Sequence, residues 1–179
     1  MPISAPQLCG RCLKNTPSFD ETQAPFLYDS AMRYLIAQLK FHQQYKNARL
    51  LGSLLARHIA AACERPECLI AVPLHRHRYL ERGFNQSLEI ARHVSRQLAI
   101  PLDYQHCIRR RDTGHQTDLA AKQRRNNMKG AFALTAPLAY RHVAIIDDVM
   151  TTGATLDALA TALKRSGIER VDAWSCARA

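Results

Sequence analysis

Three observations predict an α/β domain built on a mostly parallel, twisted sheet with helices on both faces. Strand-length segments recur at 68–72, 143–146 and 171–176, the first two continuously apolar and the third alternating. Between them lie segments whose apolar residues repeat every three to four positions, the pattern of a helix that buries one face. Strand and helix therefore alternate, and a strand that returns parallel to its neighbour needs such a crossover. At 179 residues, 47% hydrophobic and 22% charged, the chain is one domain of ordinary size with enough apolar residues for a proper core.

Residues 1–25 contain Pro2, Pro6, Pro17 and Pro25 and no periodic apolar face, so they read as an irregular arm preceding a domain at 26–179. Within the arm Cys9-Gly10-Arg11-Cys12 is a C-x-x-C knuckle, half of a zinc site that would need four ligands. Residues 26–28 read as a short strand, and Asp29 or Ser30 can cap the helix that follows, whose stripe is Met32, Leu35, Ile36 and Leu39. A second helix carries Leu50, Leu51, Leu54, Leu55 and Ile59, with His58 at its surface or core edge. The strand at 68–72 is stopped by Pro73. The next segment, Leu74 to Gln86, holds His75, Arg76, His77, Arg78 and Arg82, a candidate anion site directly after a buried strand. Asn85 or Ser87 opens a helix with Leu88, Ala91, Val94 and Leu98 inward.

Residues 104–108 read as a strand. The stretch from Arg109, Arg110 and Arg111 to Thr117 is polar, contains Gly114 and is strongly cationic, as expected of a mobile loop. A short basic helix at 118–129, a strand at 131–134 and a turn around Pro137 lead to the strand at 143–146. The last strand reads as alternating, with Val171 and Ala173 inward against Asp172 and Trp174. Cys107 and Cys176, in strand-like surroundings, read as small core residues.

Charge is unevenly placed. Residues 75–129 hold twelve Lys or Arg against five Asp or Glu, so +7 of the net +10 lies there, which points to an anionic ligand, either a polyphosphate or a nucleic acid. No apolar stretch approaches the roughly 20 residues of a membrane helix, and Met1 to Ala5 lack the features of a secretory signal. A cytoplasmic protein with no membrane insertion is expected.

The chemistry concentrates at Asp147-Asp148-Val149-Met150-Thr151-Thr152-Gly153-Ala154-Thr155. Two carboxylates end a buried strand, a Thr/Gly turn follows, and a helix with the stripe Leu156, Leu159 and Leu163 begins. Ligands of open α/β sheets bind where strands end and helices start. Threonine hydroxyls, small side chains and exposed N–H groups at a helix start make a phosphate cradle. The carboxylates suit hydroxyls or a cation beside that phosphate, so the pattern describes a ribose 5-phosphate. A Walker P-loop and a dinucleotide fingerprint are excluded, since neither motif occurs.

This segment resembles the phosphoribosyl pyrophosphate (PRPP) motif of type I phosphoribosyltransferases. With Val72-Pro73-Leu74, Arg82-Gly83-Phe84-Asn85-Gln86, Arg111-Asp112-Thr113, Gln116-Thr117, Arg125-Asn126 and Gly130-Ala131-Phe132, in that order, the chain resembles the ComF/GntX group of competence-related proteins from about residue 25 to its end. The resemblance implies the type I phosphoribosyltransferase fold. It assigns the 5-phosphate to Thr151, Thr152, Gly153, Ala154 and Thr155, the ribose hydroxyls to the catalytic pair Asp147 and Asp148, and pyrophosphate to Leu74, His75 and Arg76. Mg²⁺ is implied with PRPP, held mostly through substrate oxygens and water, and the loop beginning at Arg109, Arg110 and Arg111 would close over the site.

Three functions follow as expectations: phosphoribosyl transfer to an unidentified acceptor, a non-catalytic module handling single-stranded DNA with other competence-machinery proteins, or a PRPP or nucleotide sensor. Family members carry a four-cysteine zinc module at the start, and this chain shows only what looks like its final knuckle, Cys9 and Cys12. A truncated start and a lost module would both account for that, and an incomplete zinc site is the expectation.

Overall fold

The computed structural model describes Leu13, residues 15–112 and residues 128–179. Cys9, Cys12, the loop at 113–117, Arg125 and Asn126 lie outside the described residues.

In chain order the elements are β1 (Glu21–Gln23), β2 (Phe26–Leu27), α1 (Ser30–His42), α2 (Tyr45–Ala62), β3 (Cys68–Ala71), α3 (Arg76–Arg82), α4 (Gln86–Leu98), β4 (Leu102–Asp103), β5 (Cys107–Arg109), β6 (Phe132–Leu134), β7 (His142–Met150), α5 (Ala154–Arg165) and β8 (Arg170–Arg178). The main sheet runs β1-β8-β7-β3-β4, with β2 also on β8, and every pairing in it is parallel. The expected α/β architecture is therefore present. β5 and β6 form a separate antiparallel ribbon.

The sheet is covered on both sides because its strands are apolar at both parities. Ala144 and Ile146 of β7, with Trp174 and Cys176 of β8, enter a core closed by Ile36 and Leu39 of α1, Leu51 and Leu55 of α2, and Ile90 and Val94 of α4. Val143 and Ile145, with Val171 and Ala173, enter a second core closed by Leu156, Leu159 and Leu163 of α5. β8 does not alternate in burial as its sequence suggested: every residue from Val171 to Ala177 is buried. A doubly covered strand hides both faces, so its polar Asp172 needs partners. It accepts from His142 Nε2 at 2.8 Å and Arg170 Nε at 3.0 Å.

Three further local readings change. Glu21–Gln23, in the stretch read as an irregular arm, is an edge strand on β8, fastened where Ser18 N–H donates to Asp157 and Lys164 pairs with Asp20, each at 2.7 Å. Of the strand expected at 104–108 only Cys107 and Ile108 are in a strand, β5, while 104–106 lie in the turn that follows β4. The Asp103 carboxylate accepts from the N–H groups of Gln105 and His106 at 3.0 Å each, and that turn sends β4 into the sheet and β5 into the ribbon. The basic segment after β3 forms the helix α3, which has no buried residue and so left no apolar period to read. Cys107 and Cys176 are buried, as expected, and burial pushes both thiols up in pKa, that of Cys107 to about 12.

Candidate functional site

β3 and β7 run side by side in register, with Ala71 opposite Ile146 and Val72 N–H donating to Ile146 O at 2.9 Å. Their carboxyl ends therefore open together, which sets the segment 72–76 beside Asp147 and Asp148. α4 begins on the same edge. Its cap, Asn85, accepts from the N–H groups of Ser87 and Leu88 at 3.0 and 3.3 Å, while its own Nδ2 donates to Val72 O at 3.0 Å. One side chain thus ties the helix start to the end of β3. Gly83 makes the reversal between α3 and α4 at φ 81°, a left-handed conformation that favours glycine. Phe84 is buried in the core. Asn85→Ala is expected to lower stability by about 1–2 kcal/mol through loss of the cap, with a further loss from the stranded Val72 carbonyl. Asn85→Asp keeps the cap and should fall between the two in urea unfolding.

This geometry brings Gln86 and Ser87 onto the acids. The Asp147 Oδ1 accepts from Ser87 Oγ and from Asp148 N–H, both at 2.9 Å. Asp148 Oδ1 accepts from Gln86 Nε2 at 3.2 Å, and Gln86 Oε1 accepts in turn from Arg82 Nη1 at 2.5 Å. From the opposite side Lys40 of α1 forms an ion pair with Asp148 Oδ2. Burial and the neighbouring Asp148 charge push Asp147 up to about 7, against the pull of Lys40 and the Ser87 hydroxyl. Burial also works against charge on Asp148, but Lys40 and Gln86 outweigh it and hold this acid below the ordinary carboxylate range. The two acids are adjacent in sequence and opposite in behaviour, because only one has a cation in direct contact as its partner.

Lys40, Gln86 and Ser87 were not among the residues expected here. Lys40 carried one signal: it lies one turn after Ile36 on the apolar stripe of α1, where a lysine is out of place unless paired. The Arg82-Gly83-Phe84-Asn85-Gln86 run was visible as a motif, and its role appears only where the helix start meets β7.

The cradle follows directly. Thr151 is exposed, Thr152 Oγ1 accepts from Ala154 N–H at 3.4 Å, and Gly153 takes φ 76° as the cap of α5. A side chain at Gly153 would be strained by that backbone. Ala154 is buried and Thr155 half-buried, so the first turn of α5 presents small residues and backbone N–H groups at the edge where the acids lie.

His75 caps α3 and pairs with Arg109 in an isolated parallel bridge, which joins the expected pyrophosphate segment to the ribbon. Leu74 and His75 are half-buried and Arg76 is exposed. Asp112 faces His75 at 3.7 Å and His77 at 3.6 Å. The three arginines that open the expected loop lie at the end of β5 and just beyond it. Arg109 is the last residue of β5 with its guanidinium 5.7 Å from the Phe132 ring centre, Arg110 N–H donates to Ala131 O at 2.8 Å, and Arg111 Nη1 donates to Lys129 O at 2.9 Å. Arg109 pairs with Phe132 of β6 in the ribbon, whose Cys107 and Phe132 are buried. Among the described residues no group of three or more His, Cys, Asp or Glu side chains could hold a metal ion, and no helix is long and apolar enough to cross a membrane.

The family described as phosphoribosyl transferase domain matches residues 85–177, a span that starts at the Asn85 cap and includes both acids and the cradle. Competence protein F of Haemophilus influenzae is 37% identical over 97% of this chain and 79% of its own length. The DNA utilization protein YhgH of Escherichia coli O157:H7 is 37% identical over 95% of this chain and 77% of its own. Competence protein ComFC of Streptococcus pneumoniae is 24% identical over 87% of this chain and 67% of its own.

Proposed function

Since the chain belongs to the ComF family, with a phosphoribosyl transferase domain on a type I phosphoribosyltransferase-like fold, we propose that it binds PRPP and transfers its phosphoribosyl group to an acceptor with release of pyrophosphate. The observation that carries this reading is the order of groups at the end of β7: buried acids, a glycine-capped turn and a helix start, with the His75 segment following the neighbouring strand β3. The N–H groups at the start of α5 and the Thr151, Thr152 and Thr155 hydroxyls suit the 5-phosphate. The acids at 147 and 148 stand at the carboxyl end of β7, on the sheet edge shared with the end of β3, where the ribose of the same molecule would fall. A carboxylate beside the ring also favours the positive charge that develops there as pyrophosphate leaves. Arg76 and Arg109 supply the cationic side on which a pyrophosphate would rest, with His75 beside them as a hydrogen-bonding group.

Magnesium fits this site as an ion carried by the pyrophosphate rather than one caged by protein, because the acids are few and one of them is already committed to Lys40. It would offset phosphate charge. The chain's own residues bind, orient and exclude water.

Calorimetric titration of PRPP with and without Mg²⁺ tests the proposal. Magnesium-dependent binding is expected, and absence of binding at millimolar PRPP would overturn it. The names of the relatives favour a second reading, in which the chain assists DNA handling in competence, and the excess of basic residues at 75–129 would supply the contacts. That reading expects single-stranded DNA affinity to fall steeply with salt. Affinity indifferent to salt would contradict it.

A further inference from the structure

The two acids at the end of β7 are not equivalent. Asp148 has both oxygens engaged, Oδ1 by Gln86 at 3.2 Å and Oδ2 by Lys40. Asp147 uses Oδ1 for both of its bonds, and among the described residues no hydrogen bond reaches its Oδ2. It is also the more exposed acid, at 9% against 3%.

Lys40 is built into this arrangement. It lies one turn after Ile36, on the side of α1 that packs into the core, and its side chain keeps 19% exposure. An ammonium gives up that much water only where a partner compensates. Among the described residues, the charged groups around the acids come from four elements: Lys40 of α1 and Arg82 of α3 on the side of Asp148, Arg109 of β5 on the side of Asp147, and the two acids themselves on β7. Lys40 is the cation in direct contact with Asp148, whereas Arg82 reaches it through Gln86.

We propose that Lys40 is a positioning residue of the phosphoribosyl site: it holds Asp148 as a supporting carboxylate, so that Asp147 alone turns an uncommitted oxygen to the ribose hydroxyls. The role assigned to Asp147 rests on the phosphoribosyl reading above. The contact that defines the role of Lys40 does not. Without a cation on Asp148, two adjacent buried carboxylates would repel, and the pair would lose the distinction between an acid that supports and an acid that binds. α1 thereby becomes part of the site, although it lies far from the β7 motif in sequence.

The test measures two things on the full chain. One is the carboxyl-carbon NMR titration of both aspartates without ligand; the other is affinity for PRPP with Mg²⁺ across pH 6–8. Lys40→Met is expected to raise the titration midpoint of Asp148 and to weaken PRPP binding by about tenfold or more, most strongly at the acid end, and Lys40→Arg to restore most of both. Lys40→Met/Asp148→Asn removes the pair without stranding a charge, and serves if the single variant does not fold. It should lose about tenfold in affinity, against about a hundredfold or more for Asp147→Asn. An unchanged Asp148 titration in Lys40→Met overturns the proposal, as does a double variant that loses as much as Asp147→Asn. A wild-type protein that binds no PRPP removes the phosphoribosyl reading and the role of Asp147, while the carboxyl titration still decides whether Lys40 holds Asp148.

Discussion

Asp147→Asn is expected to be more stable than the parent protein at pH 8, by about 2–4 kcal/mol, and to lose PRPP binding at the same time. The sign follows from the direction of the shift. The folded protein raises Asp147 from an ordinary 3.8 to about 7, mainly by burial and by the Asp148 charge. Below pH 4 the acid is protonated in both the folded and the unfolded chain and has no effect. Between pH 4 and 7 the unfolded chain ionises while the folded one resists, so stability is lost as pH rises through this window. Above pH 7 the loss is complete. Asparagine has the shape of the neutral acid, and its carbonyl can accept the same bonds from Ser87 Oγ and Asp148 N–H that Asp147 accepts at 2.9 Å. Urea unfolding at pH 4 and pH 8 checks this. Equal midpoints at pH 8 would show that Asp147 is an ordinary surface-like carboxylate. A site that holds charge at a cost in stability is what binding function requires.

Gly52→Ala is expected to cost about 2–3 kcal/mol, more than a single methyl group ordinarily does on a helix. Gly52 lies in the middle of α2 where α4 crosses it. A Cβ added there would stand 2.7 Å from His93 Cβ and 2.9 Å from Ile90 O. One of those contacts is to backbone, so rotating a side chain cannot relieve it and the helices must separate. The consequence reaches the site because α4 carries Asn85 at its cap and Gln86 and Ser87 in its first turn. A shift of a few tenths of an ångström would lengthen the Ser87–Asp147 and Gln86–Asp148 bonds. A lowered urea midpoint together with weaker PRPP binding is the expected result. Unchanged stability would mean that α2 and α4 have slack along their line of contact. Lowered stability with unchanged binding would mean that the start of α4 is held by Asn85 and Val72 independently of the packing behind it.

The acids and cradle were legible in the sequence because they are contiguous. A buried strand, two aspartates, a Thr/Gly turn and a helix occupy positions 143–163, and local chemistry alone orders them. The strands β3 and β7 were legible for a related reason: their apolar runs are continuous, as parallel strands covered on both faces must be. β8 was legible as a strand, but Asp172 and Ser175 interrupt its apolar run, and the alternating pattern read there concealed its burial on both faces. α3 was not, since a seven-residue helix with no buried residue has no periodicity to detect. The strand read at 104–108 began too early and β4 was missed, because the Asp103 turn between β4 and β5 depends on a single side chain accepting two N–H groups.

By itself, then, the sequence determined the α/β class, the strand that bears the acids and the turn that follows them, all of which depend on neighbours along the chain. Only the tertiary structure decided which groups complete the site. Gln86 and Ser87 reach the acids across |i−j| separations of 62 and 60 residues, and Lys40 lies further still along the chain. Their meeting depends on the register of β3 against β7 and on the docking of α1 and α4 over one face of the sheet. The contrast between Asp147 and Asp148 has the same origin. Two identical side chains in adjacent positions differ in charge only because a half-buried cation touches one of them, and no local pattern encodes a contact made across the fold.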